Sequence, residues 1–310
     1  MALAYRLGVD VGGTFTDIVL LRSDGVAFSK KMLSTPPDFS GGITQGTEAA
    51  LKENGISGNE VEECVHGATV ATNAIVTRTG VRTGLITSQG FRDVLEIRRM
   101  RMHKLYNLNW EKPRPLVPRN LRMEVPARMD PWGKEVYALD EDAARQAIQR
   151  LLEEGVESFA VCFLHAYANG SHERRMRELI QETRPGVFIS LSSEVLPEIK
   201  EYERTSTTVI NAYVQPLVSR YLLSMERDLR DLGINVPIMV MQSNGGMTPS
   251  EMARERPIHI IESGPAAGVT GCYHLAKKLG LHDVITFDMG GTTAKAALIE
   301  DGQISRSPEY

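Results

Sequence analysis

An acid followed two residues later by paired glycines and a threonine occurs twice in the chain, as Asp10-Val-Gly-Gly-Thr14 and as Asp288-Met-Gly-Gly-Thr292. Adjacent glycines let the backbone approach a ligand closely and present N–H groups to an anion. The threonines add hydroxyl groups. Asp10, at the mouth of its loop, cannot favourably face a phosphate directly, but it can face one through Mg²⁺ and water. The chemistry implied is a grip on a metal-bound polyphosphate. Gly12, Gly13 and Thr14 hold it from one side, and Gly290, Gly291, Thr292 and Thr293 from the other. Asp10 and Asp288 are then the acids that hold the metal. Asp17, on the strand that leaves the first loop, either orients a metal-bound water or forms a salt bridge.

Both loops sit in the same local pattern. Residues 5–10 are a largely apolar run ending on Asp10, residues 15–21 resume strand-like composition, and Ser23-Asp-Gly25 turns the chain into another strand over 26–31. Residues 284–288 end on Asp288 in the same way, 294–300 form the returning strand, and Asp301-Gly302 is the turn. This predicts strand, glycine loop, strand and turn in each copy. One copy alone reads equally well as a plain glycine-rich hairpin. Two copies imply two similar domains whose hairpins face each other across a cleft.

The pair resembles the phosphate loops of the actin, sugar-kinase and heat-shock-70 ATPase superfamily. Six further stretches are similar to the hydantoinase A / 5-oxoprolinase family. They are His66-Gly-Ala-Thr-Val-Ala-Thr-Asn-Ala74, Gly90-Phe-Arg-Asp-Val-Leu-Glu-Ile97, Asn211-Ala-Tyr-Val-Gln-Pro216, Gln242-Ser-Asn-Gly-Gly246, Glu262-Ser-Gly-Pro-Ala-Ala-Gly268 and Phe287-Asp-Met-Gly-Gly-Thr-Thr-Ala-Lys295. The resemblance runs from residue 5 to residue 310. It implies an α/β fold, with a ribonuclease H-like actin-type ATPase domain and only the opening hairpin of a second such domain. It divides the chain into an N-terminal-type domain over 1–195, with the first phosphate loop, and the start of a core domain over 196–310. In the superfamily the adenosine-binding part follows the second hairpin, so the 310 residues are expected to be an N-terminal portion of a longer polypeptide.

Composition narrows the function classes. Hydrophobic content of 42% and charged content of 24% are those of an ordinary globular protein, and 310 residues suffice for two or three domains. A net charge of −4 without a long basic block excludes binding driven by nucleic-acid phosphates. No apolar run reaches the length of a membrane span, and the N-terminus lacks the layout of a signal peptide, so a cytoplasmic protein is expected. Cys64, Cys162 and Cys272 are far apart and lack zinc-site spacing or a disulfide framework.

Along the chain, Asp38 or Ser40 is placed to cap a helix running to about Asn54. His66, Thr69 and Asn73 follow a short strand. They read either as substrate-facing groups at a helix start or as a structural histidine, a cap and a buried amide. A strand over 81–87 leads to a helix running from a cap at Ser88 to about Arg98. The basic cluster of Arg98, Arg99, Arg101, His103 and Lys104 is either a solvated face or an attractor for an anionic substrate. Residues 105–135, rich in proline, read as an irregular or β-rich excursion. Helices over 139–154 and 172–184 alternate with strands over 158–163 and 187–191, which is α/β order. The longest helical pattern, 201–232, contains Pro216 and is expected to kink or split there. Asn244 lies in a loop at a strand end, where α/β sheets collect ligands, and is a weak substrate candidate against a plain turn. Ser263 suits an N-cap and Pro265 a first turn of a helix reaching Leu279.

The resemblance implies an ATP- and Mg²⁺-dependent enzyme that opens a cyclic amide such as hydantoin, N-methylhydantoin or 5-oxoproline. It works with a hydantoinase B-type second subunit or domain, as an oligomer. A nucleotide-handling subunit of an acetone or acetophenone carboxylase is the rival within the family. A non-metabolic actin-like or chaperone ATPase is the rival outside it. A repressor-type sugar kinase would carry a cysteine-rich zinc motif, which is missing here.

Overall fold

The computed structural model describes residues 4–35, 39–99, 106–107, 109–289 and 294–306. The chain packs as two compact units, one of Met1–Thr77 with Leu217–Tyr310 and one of Arg78–Pro216.

The first unit opens with three antiparallel strands, β1 (Tyr5–Val11), β2 (Phe15–Arg22) and β3 (Ala27–Leu33). Tyr5, Leu7, Val9 and Val11 alternate into the core, and Asp10 falls in the opposite phase at the loop mouth. Helix α1 (Phe39–Asn54) buries Ile43, Thr47, Ala50 and Leu51, an i, i+4, i+7, i+8 stripe. Asp38 lies outside the described residues. Ser40 is within α1, bonded to Ser224 at 3.2 Å, and is not its cap. Strand β4 (Val61–Ala68) runs parallel to β1 and leads into α2 (Val70–Val76), with Thr69 at the N-cap position.

The second unit has a parallel four-stranded sheet. Its elements are β5 (Thr83–Ser88), α3 (Val94–Ile97), β6 (Arg122–Val125), β7 (Arg128–Met129), β8 (Glu135–Tyr137), α4 (Glu141–Glu153), β9 (Ser158–Cys162), α5 (Ser171–Thr183), β10 (Phe188–Leu191) and α6 (Ser192–Val195). The strand order is β10-β9-β5-β6. All residues of β5 and β9 are buried, as befits central parallel strands covered on both faces. Asp140 caps α4 by accepting from the Ala143 N–H at 2.9 Å. The helix expected from Ser88 to Arg98 is only the single turn α3. The Ser88 hydroxyl instead accepts from Leu164 N–H at 3.0 Å. The excursion over 105–135 contributes β6, β7 and a 3-10 turn at Arg119–Leu121.

Helix α7 (Glu201–Asp231) begins in the second unit and ends in the first. It runs unbroken through Pro216, so no split occurs. Buried Ala212, Val214, Val218 and Leu222 on either side hold it by packing, which outweighs the lost backbone bond. The chain then completes the first unit with β11 (Ile238–Met241), β12 (Met247–Pro249), α8 (Ser250–Glu255), α9 (Ser263–Leu279), β13 (Val284–Met289), β14 (Ala294–Glu300) and β15 (Gln303–Ile304). Strand β11 adds parallel to β4, giving a mixed sheet in the order β12-β11-β4-β1-β2-β3. This is the expected α/β class. Strands β13, β14 and β15 form a separate antiparallel sheet. Among the described residues no helix is long and apolar enough to cross a membrane.

Candidate functional site

The first loop is built by the β1–β2 register, which pairs Asp10 with Asp17 and Val11 with Thr16 across the hairpin. Directly opposed residues share a face, so both carboxylates lie on one side of the sheet. The Gly12 N–H donates to the Phe15 carbonyl at 2.9 Å and closes the turn. The Ser34 hydroxyl donates to the Gly12 carbonyl at 2.8 Å, and the Ser34 N–H to the Thr14 carbonyl at 2.9 Å. Gly12 therefore shapes the loop through a used N–H. The Gly13 and Thr14 N–H groups and the Thr14 hydroxyl have no partner among the described residues. They are the donors that can meet an anion.

Asp10 stands in a narrow gap. A Cβ on Gly67 of β4 would lie 3.0 Å from its Oδ1, and one on Gly264 of α9 would lie 3.2 Å away. Burial, then the charges of Asp17 and Asp288, push its pKa up to about 6 against the pull of Lys31. Although the residue keeps an open side at the loop mouth, the walls on the other sides dominate. The charge of Asp288, on β13, is thus among those that act on Asp10. Mutually repelling carboxylates beside unsatisfied donors suit a hydrated divalent cation, which relieves the repulsion while keeping its waters. Among the described residues no group of three or more His, Cys, Asp or Glu is placed to hold a metal ion.

Asp17 resolves toward the salt bridge, with its Oδ1 2.6 Å from Lys31 Nζ. Gly290, Gly291, Thr292 and Thr293 lie outside the described residues, as do Arg101, His103 and Lys104. Arg98 bonds to the Pro113 carbonyl and Arg99 to Glu203, so these two members of the basic cluster have structural partners.

The substrate candidates divide. His66 is fully buried, with Nδ1 3.1 Å from the Val9 carbonyl and Nε2 2.8 Å from the Tyr221 hydroxyl. Burial pushes its pKa down to about 4, so the ring is neutral, donating from Nδ1 and accepting at Nε2. It is a structural histidine. Thr69 is tied to the Val11 carbonyl through its N–H at 3.1 Å and its hydroxyl at 2.9 Å. Asn73 is nearer the loop, since a Cβ on Gly13 would lie 3.5 Å from its Nδ2. Asn244 accepts from the Gly246 N–H at 2.8 Å and makes a plain turn.

The start of α9 supplies residues whose role composition does not reveal. Ser263 is inside the helix, and Glu262 holds the N-cap position with a left-handed backbone at φ 63°. The Ser263 hydroxyl accepts from the Ala68 N–H at 3.0 Å and donates to the Ala68 carbonyl at 2.9 Å. It thereby fastens α9 to the end of β4, which brings Gly264 against Asp10. The Glu262 N–H donates to the Thr72 hydroxyl at 3.1 Å. Its carboxylate pairs with Lys295, which stands opposite Asp288 in the β13–β14 register. This ion pair links the helix start to the strand that leaves the second loop.

Comparison with known proteins identifies the family. The family model described as hydantoinase/oxoprolinase N-terminal region matches residues 6–184, and that described as hydantoinase/oxoprolinase matches residues 204–310. Caprolactamase subunit alpha of Pseudomonas jessenii is 38% identical over 98% of this chain and 45% of its own length. Acetone carboxylase beta subunit of Xanthobacter autotrophicus is 32% identical over 96% of this chain and 44% of its own. Among solved structures, nucleotide-free acetone carboxylase superposes with a TM-score of 0.90 at 29% identity, covering 98% of this chain and 45% of that one. The ATP-dependent caprolactamase of Pseudomonas jessenii gives 0.86 at 38% identity, covering 95% and 43%. The chain thus spans about half the length of the relatives it matches. With family models matching residues 6–184 and 204–310 and solved folds covering 95% and 98% of the chain, the chain belongs to the hydantoinase/oxoprolinase family.

Proposed function

We propose that this chain is the ATP-handling part of an enzyme that opens a cyclic amide by phosphorylating its carbonyl oxygen. The observation that carries this reading is the convergence on Asp10, where two further carboxylates act on it beside the unbonded N–H groups of Gly13 and Thr14. An amide carbonyl is a poor electrophile, and moving a γ-phosphoryl group onto its oxygen makes that oxygen a leaving group. Such a transfer depends on positioning and charge neutralisation more than on covalent catalysis. Gly13 and Thr14 donate to phosphate oxygens, and Gly290, Gly291, Thr292 and Thr293 of the second sequence copy are the proposed counterpart. Gly12 keeps the loop in shape. Asp10 and Asp288 would hold Mg²⁺, which would supply charge neutralisation at the phosphoryl oxygens. Lys31 holds Asp17 in place beside Asp10. Asn73 is the remaining candidate for orienting a ligand at the loop.

The substrate class is a hydantoin, N-methylhydantoin, 5-oxoproline or a lactam of the kind the caprolactamase relative is named for. A hydantoinase B-type subunit or domain completes the site. The likeness to acetone carboxylase favours a second reading, in which the phosphoryl acceptor is a ketone enol and bicarbonate supplies the carbon. The test is Mg-ATP hydrolysis by the full-length protein with its partner subunit. It is run against hydantoin, N-methylhydantoin, 5-oxoproline, caprolactam, acetone and acetophenone, with and without bicarbonate. Stimulation by a cyclic amide without bicarbonate is expected. Stimulation by a ketone alone, with bicarbonate required, would replace the first reading by the second. Hydrolysis indifferent to all six compounds would remove both.

A further inference from the structure

The second unit contains a cavity of about 220 Å³ that none of the chemistry above uses, lined by Arg92, Arg119, Asn120, Arg122, Met123 and Arg150. By the share of liquid volume that one water takes, about 30 Å³, it has room for several waters or one small anion. The walls come from β6, the 3-10 turn before it, the turn leading into α3, and α4.

The arginines in this wall are unequally satisfied. Arg119 is saturated by Asp93, with Nε and Nη2 donating to the two carboxylate oxygens at 2.8 and 3.0 Å. Arg122 has a completely buried side chain. Its Nε donates to the Val117 carbonyl at 2.9 Å and its Nη2 to Glu96 at 2.8 Å, while its buried Nη1 has no partner. Arg92 Nε lies 3.7 Å from Glu124 Oε2, an ion pair too long to be a hydrogen bond. Glu124 also accepts from the Gly90 N–H at 2.7 Å through its other oxygen, Oε1. Arg150 makes no ion pair among the described residues. Four guanidinium groups therefore share three carboxylates, and one fully buried charged donor, Arg122 Nη1, has no partner.

A buried charged donor without an acceptor is costly, far more than an exposed one. An oxyanion in the cavity would satisfy Arg122 Nη1 and neutralise Arg150, with Arg92 in the same wall, using the fork geometry that guanidinium offers to carboxylate and phosphate. We propose that this cavity is a binding site for a small oxyanion, a phosphate or carboxylate group, held by Arg92, Arg122 and Arg150. The proposal stands on the second unit alone and does not depend on the ATP reading.

The test uses the full-length protein with inorganic phosphate, acetate or chloride at matched ionic strength, followed by isothermal titration and by the unfolding midpoint. Arg150 is exposed, so Arg150→Glu preserves the fold, which circular dichroism checks. Saturable binding of phosphate or acetate, but not chloride, is expected, and Arg150→Glu weakens it by about tenfold or more. Whichever anion binds more tightly identifies the group. Phosphate held at the Gly13–Thr14 loop would not respond to this substitution. Binding unchanged in Arg150→Glu overturns the proposal. So does the absence of any effect beyond that of chloride, which would mean that water alone fills the cavity.

Discussion

Asp10 has an acid pKa of about 6 in the folded chain against an ordinary 3.8, because its walls and its two acidic neighbours oppose ionisation. Above pH 6 the folded protein carries the full cost of that charge. The cost fades as pH falls from about 6 toward 4, where the unfolded chain also becomes protonated. Asp10→Asn is therefore expected to raise stability at pH 7.5, by at most about 1 kcal/mol given the open side of the site, and to change nothing at pH 4. The same substitution, like Asp288→Asn, should abolish Mg-dependent turnover by the full-length protein. Denaturant titration at the two pH values and the ATPase assay check both halves, and unchanged turnover would remove Asp10 from the metal site. His66 has the opposite sign. Its folded pKa of about 4 lies below the ordinary 6.5, so its stabilising contribution is complete above pH 6.5 and is lost as pH falls toward 4. Tyr221→Phe leaves the buried Nε2 without its donor, at an expected cost of about 1–3 kcal/mol. ATP turnover at a permissive temperature should not change. A turnover defect without destabilisation would return His66 to the candidates for substrate contact.

Between residue and molecule, the decisive element is α9. Its first turn is fixed to β4 by one hydroxyl, that of Ser263, which bonds both polar backbone atoms of Ala68. Ser263→Ala leaves those two atoms unmet in a buried place, at an expected cost of about 1–3 kcal/mol. If α9 forms one wall of the Asp10 gap, the variant also lowers the Asp10 pKa toward its ordinary value. A carboxyl-resolved NMR titration reads this directly, and an unmoved pKa would show that Gly264 is a bystander. These same residues show where sequence reasoning stops. The first hairpin was legible because turn glycines, an acid at the strand end and apolar alternation are all local signals. So was the α4 cap at Asp140, with its side chain three residues before the N–H that it meets. Ser263 was read as a cap because its type and place suit one, yet its partner lies 195 residues away. No spacing rule reaches that far. The unbroken course of α7 through Pro216 depends on packing around it, which local propensity does not contain. The cationic character of the Arg122 cavity depends on which donors remain unmet, and that is visible only once partners are assigned.

At the scale of the whole molecule, the separate sheet of β13, β14 and β15 is the least finished surface. Its register pairs Ile285 with Leu298, Phe287 with Ala296 and Met289 with Ala294, so all six side chains share one face. Ile285, Phe287 and Met289 are 71%, 66% and 72% exposed. The opposite face carries Thr286 and Ile299, both buried. One face is thus packed and the other is apolar and open, with strand edges that can template pairing. Period-two alternation predicts a half-buried strand with a polar outer face. Here the open face is the apolar one, while the opposite face mixes Val284, Ala297 and Ile299 with Thr286, Asp288 and Lys295. A protein of these 310 residues is therefore expected to bind a hydrophobic dye and to self-associate at micromolar concentration. The double substitution Ile285→Thr and Phe287→Ser should reduce both by severalfold. Neither residue is in the packed face, so the unfolding midpoint should stay within a degree or two by the usual cost of surface changes. Light scattering and dye fluorescence on the two proteins decide the matter. A monomeric, dye-silent parent chain would mean that the open face is covered in solution by a rearrangement of the sheet itself.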